Sequence, residues 1–154
     1  MTSNWSRVVA RSSHRNVSRS IVGVVTLRVV GAGLSAGMAG IHLYLYALGY
    51  DQVPVIGSLF LLNGIGACLL AIALLTARNR WLSLVAGLGA LFTMGTLASL
   101  VLSLTMPLFG FTESTTAPLV PTTFVVETAG TLALIALTIV SSRSGSPGRT
   151  RPLA

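Results

Sequence analysis

Residues 55–77 read VIGSLFLLNGIGACLLAIALLTA, and this stretch contains no charged side chain. A helix that crosses a bilayer needs about 20 predominantly apolar residues, so the stretch is long enough for one crossing. Three further stretches have a similar length and composition, at residues 29–49, 81–105 and 122–141. None of them shows the sustained alternation of apolar and polar residues that a barrel strand requires. We therefore predict an all-α fold, an up-down transmembrane bundle of four helices.

The composition of the whole chain points to the same class of protein. Hydrophobic residues make up 53% of the 154 residues and charged residues only 8%, whereas a soluble domain carries about 25% charged residues. Such a chain cannot cover a water-facing surface, which excludes an ordinary soluble enzyme. The single cysteine, Cys68, excludes a disulfide framework and paired-cysteine redox or zinc motifs.

The basic residues predict the orientation of the bundle. All ten cationic side chains are arginines, and with three acidic residues they give a formal net charge of +7. They precede the first span, separate the second from the third at Arg78 and Arg80, and follow the fourth. By the positive-inside rule, both termini and the turn at residues 78–80 are expected in the cytoplasm. The high net charge therefore reflects orientation and gives no reason to expect a nucleic-acid partner.

Residues 1–28 and 142–154 are predicted to be basic cytoplasmic segments outside the spans. In the first segment, arginines recur at every fourth position, namely Arg7, Arg11, Arg15 and Arg19. Two interpretations of this arm stay open: a disordered basic leader, or an interfacial helix whose arginines contact anionic lipid headgroups, with Arg28 at the membrane boundary. A cleaved signal peptide is disfavoured, because its apolar region is about 7–15 residues long, shorter than the first span. The Ser/Gly/Pro/Arg-rich tail is expected to be disordered.

One polar residue in each predicted span lies at a similar depth. The four residues are His42, Asn63, Ser99 and Glu127. A helix rise of about 1.5 Å per residue places each of them roughly 9–12 Å from the outer end of its span. Ionisable groups inside a bilayer are costly, so each one indicates a functional site by default. We predict that these four side chains converge in the outer half of the bundle.

This polar layer has two interpretations that the sequence leaves open. It is a proton relay, a small-ligand pocket or a cation site with His42 and Glu127 as its titrating pair, or it is a set of interhelical hydrogen bonds that fix the helix register. Such bonds contribute only about 0.6 kcal/mol each. Haem ligation by two histidines within the membrane is disfavoured, because His14 lies in the arm, and the HExxH motif of zinc proteases is absent. We predict no catalytic residue, no metal site and no cofactor.

Two further groups of residues are candidates for contacts. The small residues Gly33, Gly37 and Gly40 share one face of the first span, and their four- and three-residue spacing permits close helix packing within the bundle or against another chain. Asp51 and Glu113 make the outer face acidic, either as two solvated acids or as an attraction for a cation or a basic partner. Leu108, Phe109 and Phe111 are expected to form a partial lid over the polar layer.

Several strings of the sequence carry a resemblance. They are HLYLY, LGY, QVPVIG and LFLLN within residues 42–63, LFGFTE at residues 108–113 and VVE at residues 125–127. With them the chain resembles small, uncharacterised four-span integral membrane proteins of actinobacteria, over about residues 29–141. The resemblance implies a location in a bacterial plasma membrane, and it brings no activity and no catalytic residues.

The function predicted from the sequence is non-enzymatic. We expect a small integral membrane protein that acts as an accessory or stabilising subunit of a plasma-membrane assembly, with a membrane-protein partner or further copies of itself. The alternative is a carrier or sensor that uses the layer of His42, Asn63, Ser99 and Glu127 for a proton or a small ligand. An enzyme is third, because the sequence contains no nucleophile–base pair, metal cluster or phosphate-binding loop.

Overall fold

The structure, a computed structural model, describes the backbone of residues 3–144 and the side chains of residues 21–143. Four α-helices follow one another in this part of the chain: α1 (Ser3–Ala47), α2 (Ile56–Thr76), α3 (Asn79–Thr105) and α4 (Val120–Ser144). A short 3-10 helix, Tyr50–Gln52, lies between α1 and α2. The described residues contain no β-strand, so the prediction of an all-α chain is confirmed for them.

Every helix has a segment long and apolar enough to cross a membrane. These segments are Ile21–Ala47, Ile56–Thr76, Asn79–Thr105 and Val120–Arg143. Many of their large apolar side chains are exposed, such as Leu62, Leu69 and Ile72 on α2. Helices that are apolar all round suit a surrounding of lipid, and the prediction of four apolar helices compatible with a membrane protein is confirmed.

The helix boundaries differ from the predicted ones at both ends of the chain. α1 is continuous through residues 3–28, the arm for which a disordered leader and an interfacial helix were both left open, and the first apolar segment begins at Ile21, before Arg28. α4 extends to Ser144, so residues 142–144 are helical where a disordered tail was predicted. The rest of that tail lies outside the described residues. The predicted headgroup arginines Arg7, Arg11, Arg15 and Arg19 lie outside the residues whose side chains are described.

Arg28 has a structural partner that the sequence did not predict. Its Nε donates a hydrogen bond of 2.5 Å to the carbonyl of Leu74, and its Nη2 donates bonds of 2.8 Å and 2.6 Å to the carbonyls of Leu75 and Ala77. The last carbonyls of an α-helix have no partner within the helix. Arg28, expected to contact lipid headgroups, therefore caps the C-terminal end of α2.

The helices do not pack equally against one another. α1 packs along α2 and α4, and α3 packs along α4, whereas α2 and α3 have the fewest contacts of the four neighbouring helix pairs. A buried apolar cluster joins all four helices near the end of the bundle that contains Arg28, which we call the Arg28 end. It consists of Ala32, Leu74, Leu82, Ala86, Ala90, Leu134 and Leu137. The weak contact between α2 and α3 leaves space at the opposite end.

Close helix approaches occur at glycines other than those predicted. A Cβ atom at Gly64 would lie 2.6 Å from the Leu43 side chain, and one at Gly89 would lie 2.7 Å from the Leu70 side chain. These glycines therefore allow side chains of neighbouring helices to lie against the backbone.

The predicted packing glycines of α1 face away from such contacts. A Cβ atom at Gly33 or Gly40 would meet nothing within 4 Å, and one at Gly37 would only touch Val126, at 3.9 Å. Within the described part of the chain, the Gly33–Gly40 face thus lies on the outside of the bundle. Of the two packing roles predicted for these glycines, this outside position is compatible with packing against another chain, which stays a prediction.

Replacing Gly57 by alanine is expected to destabilise the protein. The added Cβ would lie 2.7 Å from the Tyr50 carbonyl and 2.9 Å from the Asp51 Cα, and backbone atoms cannot turn aside. We expect a loss of about 1 to 3 kcal/mol, as for other overpacked sites, measured by thermal unfolding in detergent. Gly33→Ala is the matched control and should leave the midpoint unchanged or slightly higher. Equal midpoints for the two variants would contradict the packing described here.

Replacing Arg28 by methionine tests the cap on α2. Methionine keeps an apolar stem and removes every hydrogen-bond donor, so three carbonyl contacts are lost. Hydrogen bonds that involve a charged group contribute about 1.5 to 3 kcal/mol, and we expect a destabilisation in that range. Arg78→Met removes the same charge from an exposed side chain near the same helix end. If Arg78→Met lowers the thermal midpoint by as much as Arg28→Met does, the lost charge, and not the lost cap, is responsible.

Candidate functional site

A cavity of about 410 Å³ lies at the end of the bundle opposite Arg28. We call it the Tyr50 end, formed by residues 48–55 and 106–119. Pockets that bind small molecules have volumes of roughly 300–1,000 Å³, so this cavity has the size of a ligand site. Leu59 of α2 and Leu91 of α3 belong to its wall and are also exposed on the outside of the bundle. The cavity is therefore open at the side between α2 and α3, the neighbouring helix pair with the fewest contacts.

The four polar residues singled out in the sequence all line this cavity, one from each helix. His42 of α1 is 5% exposed and Glu127 of α4 is 1% exposed. Asn63 of α2 is half-buried, whereas Ser99 of α3 is exposed and donates its hydroxyl to the carbonyl of Gly95 at 2.9 Å. The helices thus bring the four residues together, with His42 and Glu127 as its buried members.

His42 and Glu127 face each other without a close hydrogen bond. The distance between Nε2 of His42 and Oε1 of Glu127 is 3.7 Å, which is longer than a hydrogen bond of normal geometry. Nδ1 of His42 lies 3.0 Å from the carbonyl of Met38. A carbonyl only accepts, so Nδ1 carries the hydrogen, and in the neutral ring Nε2 has a free lone pair. The nitrogen that faces Glu127 is therefore the one able to accept a proton.

Two buried oxygen atoms on the cavity wall have no hydrogen-bond partner among the described residues. They are Oε2 of Glu127 and Oγ1 of Thr123, one helical turn earlier on α4. The large majority of buried polar atoms in proteins do have a partner, so each exception calls for an explanation. A third such atom, Oγ1 of Thr128, is not part of the cavity wall, whereas the two on the wall lie one helical turn apart and give the cavity unused hydrogen-bonding capacity.

A group of threonines continues the polar region below Glu127, towards the centre of the bundle. The hydroxyl of Thr131 lies 2.9 Å from that of Thr93, and Thr96 donates to the carbonyl of Thr93 at 2.8 Å. Thr96 also lines the cavity. Thr131 lies four residues after Glu127 and therefore on the same face of α4, whereas the threonines of α3 were not predicted because they carry no charge. The only sequence signal for Thr93 and Thr96 is their three-residue spacing, which places them on one face of α3.

Aromatic rings form a continuous row from His42 to the Tyr50 end. The centroid of the Phe60 ring lies 5.3 Å from that of His42 and 4.6 Å from that of Tyr50, on which it stacks. Phe111 meets Tyr50 edge to face at 5.9 Å. Contacts of this kind contribute about 0.5 to 1.5 kcal/mol each beyond their buried area. The row forms an apolar part of the cavity wall.

The loop after α3 closes the cavity at the Tyr50 end. Leu108 and Phe111 exchange backbone hydrogen bonds of 2.7 Å and 2.9 Å, and Phe109 and Gly110 form the tight turn between them with positive φ angles. Two-residue turns of this kind need positive φ at both positions, which suits Gly110. Leu108 and Phe111 line the cavity as the predicted lid does, whereas Phe109 points away and is 65% exposed.

The two predicted outer acids occupy different environments. Asp51 is exposed and accepts a hydrogen bond from the side chain of its neighbour Gln52. Glu113 lines the cavity and accepts a 2.7 Å hydrogen bond from the Tyr50 hydroxyl, so it is not merely a solvated acid. Burial of the hydroxyl, followed by the hydrogen bond and the negative charge of Glu113, raises the pKa of Tyr50 well above its ordinary value.

The titration of Tyr50 provides a test of this contact. Because its folded-state pKa lies above the unfolded value of about 10, the stability that the contact contributes is fully present below that pH and is lost as the pH rises further. We expect Tyr50→Phe to remove no tyrosinate absorbance at a pH of about 10, since Tyr50 is still protonated there. A loss of absorbance equal to half a tyrosine would mean that Tyr50 titrates normally and does not bond Glu113.

The site does not have the composition of a metal centre. In the described part of the chain, no three His, Cys, Asp or Glu side chains come together as ligands. No protein-family model, curated protein or solved structure matches this chain.

Proposed function

We propose that the protein binds a small molecule in the cavity at the Tyr50 end, as a non-enzymatic carrier or sensor of a bacterial plasma membrane. The observation that carries this proposal is the carboxyl group of Glu127. It is buried on the wall of a cavity of ligand size, and one of its oxygens has no partner among the described residues. Within a bilayer, a residue of this kind indicates a functional site by default.

The energetics favour a binding role over a purely structural one. If His42 and Glu127 served only to fix the helix register, a short hydrogen bond between them would be expected, but their atoms are 3.7 Å apart. An unsatisfied buried polar group costs about 1 to 3 kcal/mol, more than an interhelical hydrogen bond in a membrane contributes, at about 0.6 kcal/mol. A ligand that donates to Glu127 would remove this cost, and the free energy gained would favour binding.

The proposed topology is up-down, with both termini in the cytoplasm and the cavity in the outer half of the membrane. Arg28 contacts the end of α2, directly before Arg78, so these cations lie together at the Arg28 end. The acids Asp51 and Glu113 lie at the Tyr50 end, where residues 48–55 and 106–119 contain no basic residue. This distribution supports the orientation under the positive-inside rule. Anionic lipid at the cytoplasmic face is then a further proposed partner of the arginines.

The role of accessory subunit predicted from the sequence is the second candidate. The observation that favours it is the exposed small-residue face at Gly33 and Gly40, where a Cβ atom would meet nothing within 4 Å. Such a face allows another helix to approach closely, from a partner protein or from a second copy. It gives no reason, however, for an unpartnered carboxyl on a cavity wall, and for that reason we place the binding role first.

Native mass spectrometry of the full chain, purified in mild detergent, tests the binding role. We expect the wild type to retain a small-molecule adduct and Glu127→Gln to lose most of it. Glu127→Gln should change the thermal midpoint little, because the glutamate makes no short hydrogen bond to His42. Asp51→Asn removes one negative charge from an exposed position at the same end and should retain the adduct.

Two results would contradict the binding role. One is a wild-type protein without any adduct whose Glu127→Gln variant is strongly destabilised, which would assign Glu127 to stability alone. The other is an adduct of equal occupancy in the wild type and in Glu127→Gln, which would indicate a molecule bound outside the cavity. A stoichiometric protein partner found without a small-molecule adduct would favour the accessory-subunit role.

A further inference from the structure

We infer that the molecule bound in this cavity is a lipophilic amine in its protonated form, an apolar body that carries one ammonium group. The inference rests on the proposed function and names its ligand class. It draws on the charges of the cavity wall, the acceptors left free there, the aromatic row and the position of the opening.

The charges on the wall select for a cation. Its two acidic residues are Glu127 and Glu113, and among the described residues that line it there is no arginine or lysine. An anionic ligand would have to approach two carboxyl groups in a region of low dielectric, where like charges repel strongly. An ammonium ion instead places a positive charge beside Glu127, whose carboxyl has no arginine or lysine partner on the described cavity wall. A buried carboxylate with a paired cation avoids most of the penalty of an isolated one.

The free atoms of Glu127 and His42 are acceptors, the hydroxyl of Thr123 can accept as well as donate, and an ammonium group is a pure donor. Oε2 of Glu127 and Oγ1 of Thr123 have no partner, and Nε2 of His42 has a free lone pair in the neutral ring because Nδ1 is engaged with Met38. An ammonium group has up to three N–H donors to offer them. A neutral hydroxyl has one donor and no charge, so it would satisfy one acceptor and leave the carboxylate unpaired.

The apolar part of the cavity provides a place for the body of such a ligand. Phe60, Tyr50 and Phe111 form the aromatic row beside His42, and Phe92 of α3 lines the cavity as well. The faces of such rings attract an organic cation at distances within about 6 Å, and they offer apolar surface to its body. A metal ion does not fit this wall, since a hard cation such as Ca²⁺ takes about 6–8 oxygen ligands.

The opening of the cavity favours a lipophilic molecule. Leu91, which is 61% exposed, and Leu59 lie at the side opening between α2 and α3, in the segments that are apolar enough to lie in lipid. The Tyr50–Glu113 hydrogen bond and the turn at residues 108–111 cover the end of the cavity. An amine dissolved in the bilayer can therefore approach Glu127 from the side without opening this cover.

Three probes with the same phenylbutyl body test the inference on the full chain in detergent: phenylbutylamine, phenylbutanol and phenylbutyrate. Binding is measured by isothermal titration calorimetry near neutral pH. We expect the amine to bind at least about tenfold more tightly than the alcohol, the ratio that one charge-assisted hydrogen bond would give, and phenylbutyrate not to bind. Glu127→Gln should weaken the amine by about the same factor and leave the alcohol unchanged. Asp51→Asn, the charge-matched control, should bind the amine as the wild type does.

The outcomes separate this inference from the proposed function. Equal affinities for amine and alcohol, or amine binding unaffected by Glu127→Gln, would overturn the ligand class and leave a small-molecule site in place. Absence of binding by all three probes would also overturn it, while an adduct in native mass spectrometry that depends on Glu127 would keep the proposed function. If Glu127→Gln does not fold, the ranking of the three probes on the wild-type protein decides the question alone.

Discussion

The described chain has four helices that are long and apolar enough to cross a membrane, and in lipid every backbone N–H and C=O group has to find its partner inside the protein. An apolar segment meets this requirement by forming a helix, and the free backbone groups at the helix ends then need partners from elsewhere in the protein. The end of α2 is an example, since the guanidinium of Arg28 satisfies carbonyls that the helix itself leaves free. At the start of the next helix the chain needs only a short connection, from Ala77 to Arg78, to begin α3.

In lipid, the hydrophobic effect that drives the core of a soluble protein together does not act between helices. Lipid tails are as apolar as leucine side chains, so transmembrane helices associate through close packing and polar contacts rather than through escape from water. The Arg28 end is closed by such packing around Leu74, Leu134 and Leu137. A second, smaller cluster of Met38, Ala39 and Ala67 lies further from Arg28, and beyond it the space between α2 and α3 is occupied by the cavity. The cavity is therefore a consequence of uneven packing between the two ends.

The sequence predicted four helices that are long and apolar enough to span a membrane, and these are present because apolar length is a property of single segments. Apolar length identifies a spanning helix, and counting residues from the ends of spans gives the depth of His42 and Glu127. The direction of each glycine could not be predicted in the same way, because small residues four apart occur on several faces of α1. Which face turns inward is decided by its neighbours, and the close contact at Gly64 depends on the position of Leu43. The outside position of Gly33 and Gly40 is the result.

The contacts that complete the site were also beyond prediction from single segments. Tyr50 and Glu113 are far apart in the chain, and only the folded loops bring the hydroxyl within 2.7 Å of the carboxyl. Thr93 and Thr131 likewise meet only when α3 lies against α4. Residues of this kind carry no strong signal of their own, since threonine in a membrane helix commonly bonds its own backbone. Depth along a helix could be counted from the sequence, whereas rotation about its axis could not.

The two ends of the bundle thus differ in how completely their polar groups are satisfied. At the Arg28 end, a charged side chain is matched with carbonyls that need donors. At the Tyr50 end, His42 uses one ring nitrogen for Met38 and presents the other to Glu127 at a distance too long for a strong bond. Consistent local satisfaction specifies a stable fold, and departures from it are expected at functional sites. The carboxyl of Glu127 is such a departure, and it lies on the wall of a cavity that gives a ligand room to supply the missing donor.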